Sequence, residues 1–94
     1  MPAGYALVWT PTFKRNARRF LKQHRDLAGD FSAVLHLLEQ NPEDPRLRLH
    51  QLQGKLAGKQ AVSLSYSYRI VLKLEITERD IYLYDVGSHD AVYL

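Results

Sequence analysis

Two periods run through this chain. In its first half apolar residues recur at helical spacing: Phe13, Ala17, Phe20 and Leu21 fall at i, i+4, i+7 and i+8, one stripe on a helix of about three turns. Lys14, Arg15, Arg18, Arg19 and Lys22 are left mainly towards solvent, so this helix is amphipathic and strongly basic. Thr10-Pro11-Thr12 supplies its start, with Thr10 or Thr12 as the cap. A second helix is expected from Asp26 or Asp30 to Gln40, with Phe31, Val34, Leu35 and Leu38 facing inward, and Asn41-Pro42 stops it. Ahead of both, Ala3 to Trp9 (AGYALVW) is a short aromatic and β-branched run that reads as a strand.

Past the turn-rich NPEDP connector and the GKLAG loop, the period becomes two. Val62, Leu64 and Tyr66 alternate with Ser63, Ser65 and Ser67; Tyr68, Ile70, Leu72 and Leu74 alternate with Arg69, Val71, Lys73 and Glu75. Ile81 to Val86 forms a third run after a turn at Thr77 to Asp80. Three neighbouring strands suggest an antiparallel meander. With the N-terminal strand added, the order β-α-α-β-β-β predicts an α+β fold in which a two-helix hairpin packs on one face of a curled, mainly antiparallel four-stranded sheet. The other face then meets water or a ligand. At 94 residues the chain has room for one core that buries roughly 60 to 65% of the unfolded surface, so residues 1–94 are read as a single domain.

Charge changes this picture more by its arrangement than by its total of +3. From Met1 to Arg25 there are six basic residues and no acid, and from Pro45 to Leu74 again six (Arg46, Arg48, Lys55, Lys59, Arg69, Lys73) and no acid. The ten carboxylates gather in Asp26 to Asp44 and Glu75 to Asp90. Such blocks favour a polyanionic partner through phosphate neutralisation and counterion release; a merely solvated basic surface is the plainer alternative. Cysteine is absent, which removes disulfides and thiolate metal sites and suits a reducing compartment. No leader-like N-terminus and no apolar run long enough for a bilayer is present. The expectation is a cytoplasmic protein with no membrane association.

Candidate chemistry is sparse. Gly54 to Lys59 superficially resembles a phosphate-binding loop, but three rather than four residues separate the glycines and neither Ser nor Thr follows Lys59. The four histidines, at 24, 36, 50 and 89, show no metal-ligand spacing, so neither a metal nor a small-molecule cofactor is expected. His89 follows Gly87-Ser88 at a strand end, where an imidazole can give or take a proton near neutral pH. Arg69 lies in the polar phase of the middle strand, a fixed cation whose fork can hold a phosphate. If the last strands are antiparallel neighbours, Arg69 and Val86 to His89 converge. With Tyr93, His50 and Lys55 they would supply a phosphate clamp, a proton donor or acceptor and a stacking ring for an unpaired base. Taken singly each has a plainer reading: His50 and His89 as loop residues, Tyr93 as an edge or core aromatic, Arg69 as the ion-pair partner of an acid such as Asp85.

The order of elements and four stretches, YALVWTPTFKR at the front, Leu52-x-Gly54, Tyr68-Arg69-Ile70-Val71 and the terminal Val86-Gly87-(x)5-Tyr93, resemble the RelE/ParE superfamily of bacterial toxins from type II toxin-antitoxin modules. The similarity spans nearly the whole chain, and the fifteen-residue spacing from Gly54 to Arg69 makes the set fairly specific. The resemblance implies a RelE-like fold and a ribosome-dependent mRNA interferase. In such enzymes an mRNA 2′-hydroxyl attacks the adjacent phosphate without a metal, leaving a 2′,3′-cyclic phosphate and a 5′-hydroxyl. By the same resemblance Arg69 steadies the phosphate, His89 is the general acid, Tyr93 orients the scissile nucleotide and His50 matches a YafQ-type histidine. Lys55 falls near basic residues used by RelE, and Lys59, Arg48 and Lys73 complete the RNA-binding set.

The chain also departs from the pattern. YafQ-type enzymes carry a second histidine and an aspartate where Ser63 and Ser67 stand here, and the glutamate base of YoeB-type enzymes has no clear counterpart. The general base is therefore unassigned, with His50 as one candidate. The partners implied are ribosome-bound mRNA and a cognate antitoxin with an amphipathic, acidic segment. A ParE-like toxin acting on DNA gyrase by protein contacts, and a non-catalytic RNA- or protein-binding module, are the competing functions.

Overall fold

The computed structural model describes residues 4–88 and Val92. Its elements are β1 (Ala6–Trp9), α1 (Pro11–Gln23), α2 (Ala28–Gln40), β2 (His50–Gln51), β3 (Gln60–Ser63), β4 (Tyr68–Glu75) and β5 (Asp80–Ser88). They form a five-stranded sheet in the order β1-β5-β4-β3-β2, with β1 parallel to β5 and every other pair antiparallel. The α+β class and the helix pair are as expected; the expected four strands become five. The additional strand is the two-residue β2, too short to leave a period in the sequence.

Thr10, of the two candidates, caps α1. Its Oγ1 accepts from the Phe13 N–H at 3.2 Å and donates to the Leu83 carbonyl at 2.7 Å, so one hydroxyl both satisfies an end of the helix and ties it to β5. Phe13, Ala17 and Phe20 are buried and Leu21 packs partly buried against them. The second helix starts at Ala28, between the two expected acids, because the 3-10 turn Arg25–Leu27 leads straight into it. It ends where Pro42 forces Asn41 into extended backbone, φ −164° and ψ 98°.

Both helices lie on one face of the sheet. Val62, Ile70, Leu72, Ile81, Leu83 and Val86 meet Phe13, Phe20, Phe31, Val34 and Leu38 in a single cluster. Val86 joins this cluster although Ile81 and Leu83 are odd-numbered, since the register jumps from Leu72↔Leu83 to Val71↔Asp85 and leaves Tyr84 as an extra residue. A bulge of this kind reverses the alternation beyond it.

Between α2 and β2 the chain makes a 3-10 turn, Pro45–Leu47, anchored at Leu47, which is fully buried. Asp44 opens the turn: its carboxylate accepts from the Arg46 N–H at 2.9 Å and from the Arg46 guanidinium at 3.0 and 2.8 Å. The Arg46 guanidinium beside Asp44 holds that carboxyl down, from an ordinary 3.8 to about 2. A carboxyl depressed in the folded state stabilises fully above its ordinary value and loses that contribution as pH falls through the depressed one. The Asp44 side-chain resonance is therefore expected to titrate near pH 2, and Arg46→Ala to return its midpoint towards 3.8; a wild-type midpoint near 4 contradicts the pairing.

Candidate functional site

Strand register decides which side chains share a face. His50 is opposite Ala61, Ser63 opposite Arg69, and Arg69 opposite Gly87. Their neighbours Val62, Ile70 and Val86 are paired with one another and point to the helices. With strict alternation, His50, Ser63 and Arg69 therefore stand on the face away from the helices. Gly87, opposite Arg69, adds no side chain to that row, and Ala61 and Val71 in the next row are buried.

These residues open onto a cleft of about 500 Å³ lined by Arg48, His50, Ser63, Ser65, Tyr66 and Arg69. Arg48 follows the Pro45–Leu47 turn in left-handed backbone, φ 55°, a conformation that costs a non-glycine residue about 1 kcal/mol or more. That twist brings the chain into β2. His50 Nδ1 lies 3.0 Å from the Arg48 carbonyl; a carbonyl only accepts, so Nδ1 carries the proton and the lone pair of the neutral ring is on Nε2.

The cleft is cationic. Arg69 is half-buried, and its Nη1 donates a long 3.5 Å bond to the Tyr68 carbonyl. Among the described residues no carboxylate pairs with Arg69 or Arg48. The Arg69–Asp85 ion pair weighed from the sequence does not form, because Asp85, beside the Tyr84 bulge, reaches the helix side and accepts from Asn16 Nδ2 of α1 and from the Val86 N–H, both at 2.8 Å. Two guanidiniums and an imidazole around one opening suit a phosphate or phosphodiester anion.

The other candidates disperse. Lys55 borders a separate depression with Leu52, Gln53, Gly54 and Leu56. Lys59 holds its ammonium 5.0 Å above the Tyr84 ring. Lys73 shares the face of Arg69, ~13 Å further along β4, and pairs with Glu75 at 3.3 Å. Of the expected RNA-binding set, Arg48 alone lines the cleft, since the β2–β3 connection carries both lysines past it. His89 and Tyr93 lie outside the described residues; Ser88, which precedes His89, is opposite Tyr68. Ser65 and Tyr66, read from the sequence as strand residues, line the cleft instead. Their signal was the alternation of Ser63, Ser65 and Ser67 around Leu64 and Tyr66, which is as much a turn pattern as a strand pattern.

Among the described residues no helix is long and apolar enough to cross a membrane, and no three His, Cys, Asp or Glu side chains group as a metal site requires. No family model and no curated protein matches the sequence. Likeness appears in the fold. The chain is similar to YafQ from E. coli strain BL21(DE3), with a TM-score of 0.80 at 17% identity over 96% of this chain and 99% of that one. It is similar to a YoeB/ParE toxin from Agrobacterium tumefaciens, with a TM-score of 0.75 at 14% identity over 89% and 98% of the two chains. It is also similar to a chain of the toxin-antitoxin complex RelBE2 from Mycobacterium tuberculosis, with a TM-score of 0.65 at 17% identity over 93% and 100%.

Proposed function

From a chain with the fold of the YafQ, YoeB/ParE and RelBE2 toxins, we propose the toxin of a type II toxin-antitoxin module, an endoribonuclease that cuts ribosome-bound mRNA. The observation that supports it most is the cleft itself. Arg48, His50 and Arg69 open onto one hollow, and among the described residues that line it there is no carboxylate, as suits a site for one backbone phosphate.

In this reading Arg69 and Arg48 hold the non-bridging oxygens of the scissile phosphate. A base, for which His50 Nε2 is the candidate, takes the proton of the neighbouring 2′-hydroxyl; the 2′-oxygen attacks phosphorus as the bond to the 5′-oxygen breaks. His89 returns a proton to that leaving oxygen and Tyr93 orients the nucleotide, the roles the family resemblance gives them. The products are a 2′,3′-cyclic phosphate and a 5′-hydroxyl, balanced without redox change. A gyrase-directed toxin has no need to gather an imidazole with guanidiniums that no described carboxylate pairs, which favours the nuclease. Solved relatives include toxin-antitoxin complexes of DinJ with YafQ and of RelBE2, so a cognate antitoxin that covers this cationic face belongs to the proposal.

Adding the protein to a cell-free translation reaction is expected to give codon-phased cuts in a reporter mRNA, read by primer extension. Intact mRNA during active translation rejects the nuclease, and lost gyrase supercoiling with intact mRNA transfers the assignment to the ParE-like alternative.

A further inference from the structure

Tyr66 is 98% exposed. A single exposed aromatic is ordinary on a protein surface, but the surroundings of this one are not neutral. It sits in the turn from β3 to β4 and lines the same cleft as Arg48, His50 and Arg69. Ser63, Ser65 and Ser67 flank it, side chains too short to cover a ring. Among the described residues no other aromatic packs on it and no cation lies over it.

The turn that presents it is pinned. The N–H groups of Leu64 and Ser65 both donate to the Tyr68 carbonyl, at 2.9 and 3.3 Å, and the Tyr68 N–H donates to the Ser65 carbonyl at 3.4 Å. Tyr68, two residues on, shows the contrast: its ring packs edge-on against Phe20 at 5.1 Å and beside His24 at 4.8 Å. One tyrosine is spent on the helix-side core while the other is held out beside two arginines.

We propose that Tyr66 is a stacking platform for the unpaired base next to the phosphate held by Arg48 and Arg69, and that it restricts the cleft to single-stranded RNA. An uncovered π-face beside a cationic groove is the combination that single-stranded nucleic acid binding uses; paired bases in a duplex keep their faces stacked on one another and cannot lie on it. The inference rests on the proposed function only in taking the anion to be an RNA phosphodiester.

The test is fluorescence anisotropy with a labelled single-stranded RNA oligonucleotide and with the same strand in a duplex. Wild type is expected to prefer the single strand. Tyr66→Ala weakens single-strand binding about tenfold or more, leaves duplex binding and the salt dependence unchanged because no charge is removed, and Tyr66→Phe stays within about twofold of wild type. Arg69→Ala instead weakens both probes and flattens the salt dependence by about one phosphate contact. Equal single-strand affinity in wild type and Tyr66→Ala overturns the proposal, as does a Tyr66→Phe as weak as Tyr66→Ala, or a wild type that ignores the single strand. Ring-dependent binding without mRNA cleavage upholds the platform and rejects the nuclease; cleavage with an unchanged KM in Tyr66→Ala does the reverse.

Discussion

Arg69→Ala is expected to lower kcat for mRNA cleavage by about 10²- to 10³-fold, the loss seen when a preorganised donor to a developing oxyanion is removed. Arg69 is the second residue of β4, a strand paired on both sides by β3 and β5, so the backbone that carries the guanidinium is fixed before the phosphate arrives. It is half-buried and unpaired by any described carboxylate, so its charge is not already spent. Arg69→Lys keeps the charge and loses the two-pronged fork, and recovers only part of the rate. Arg69 faces away from the helix-side cluster, so the melting temperature of either variant should stay within a few degrees of wild type. Cleavage within twofold of wild type in a folded Arg69→Ala protein contradicts the assignment.

The largest effect on stability is expected from Phe13→Ala. Phe13 is fully buried, packs edge-on against Trp9 at 5.0 Å and is stacked with Phe31 at 6.1 Å, so β1, α1 and α2 all meet at this ring. Truncating such a side chain costs about 3–5 kcal/mol through lost burial and the cavity left behind. Against a total of about 5–15 kcal/mol for a domain, the variant is left marginal, with a melting temperature lowered by at least about 12 °C. Thermal unfolding followed by circular dichroism measures this; a shift of two or three degrees would mean that the aromatic junction is not where the core is fastened.

The elements that could be read from the sequence are those with a long period and a clear stop. The Phe13, Ala17, Phe20 stripe and the Asn41-Pro42 stop define both helices, and Tyr68 to Glu75 reads as β4, with Val71 the one apolar residue in its polar phase. What escaped was set by pairing. Val62 to Ser67 alternates as a strand would, yet β3 ends at Ser63 because Leu64 and Ser65 turn back onto the Tyr68 carbonyl; serines at every second position fit a turn as well as a strand. The Tyr84 bulge, and with it the inward side of Val86, depends on β4 and leaves no local mark. The place of β1 beside β5 is equally non-local.

The candidate site was legible to the same degree. Antiparallel neighbours were expected to bring Arg69 to the Val86 to His89 stretch, and Arg69 does lie opposite Gly87, while His89 lies outside the described residues. His50 joins the face of Arg69 through the short β2, which had no period to read. The lysines at 55, 59 and 73 were grouped by charge in the sequence and separated by topology. Charge blocks report composition along the chain, whereas a phosphate site depends on which rows of a sheet the cations occupy.

Whether His50 and Arg69 act on one phosphate is tested most directly by a double-mutant cycle on mRNA cleavage. Groups that serve the same transition state lose activity together, so His50→Ala/Arg69→Ala is expected to cleave far faster than the product of the two single losses would allow, with a coupling of about 1–3 kcal/mol. Losses that multiply, giving no coupling, would place the imidazole and the guanidinium at separate tasks and contradict the shared cleft.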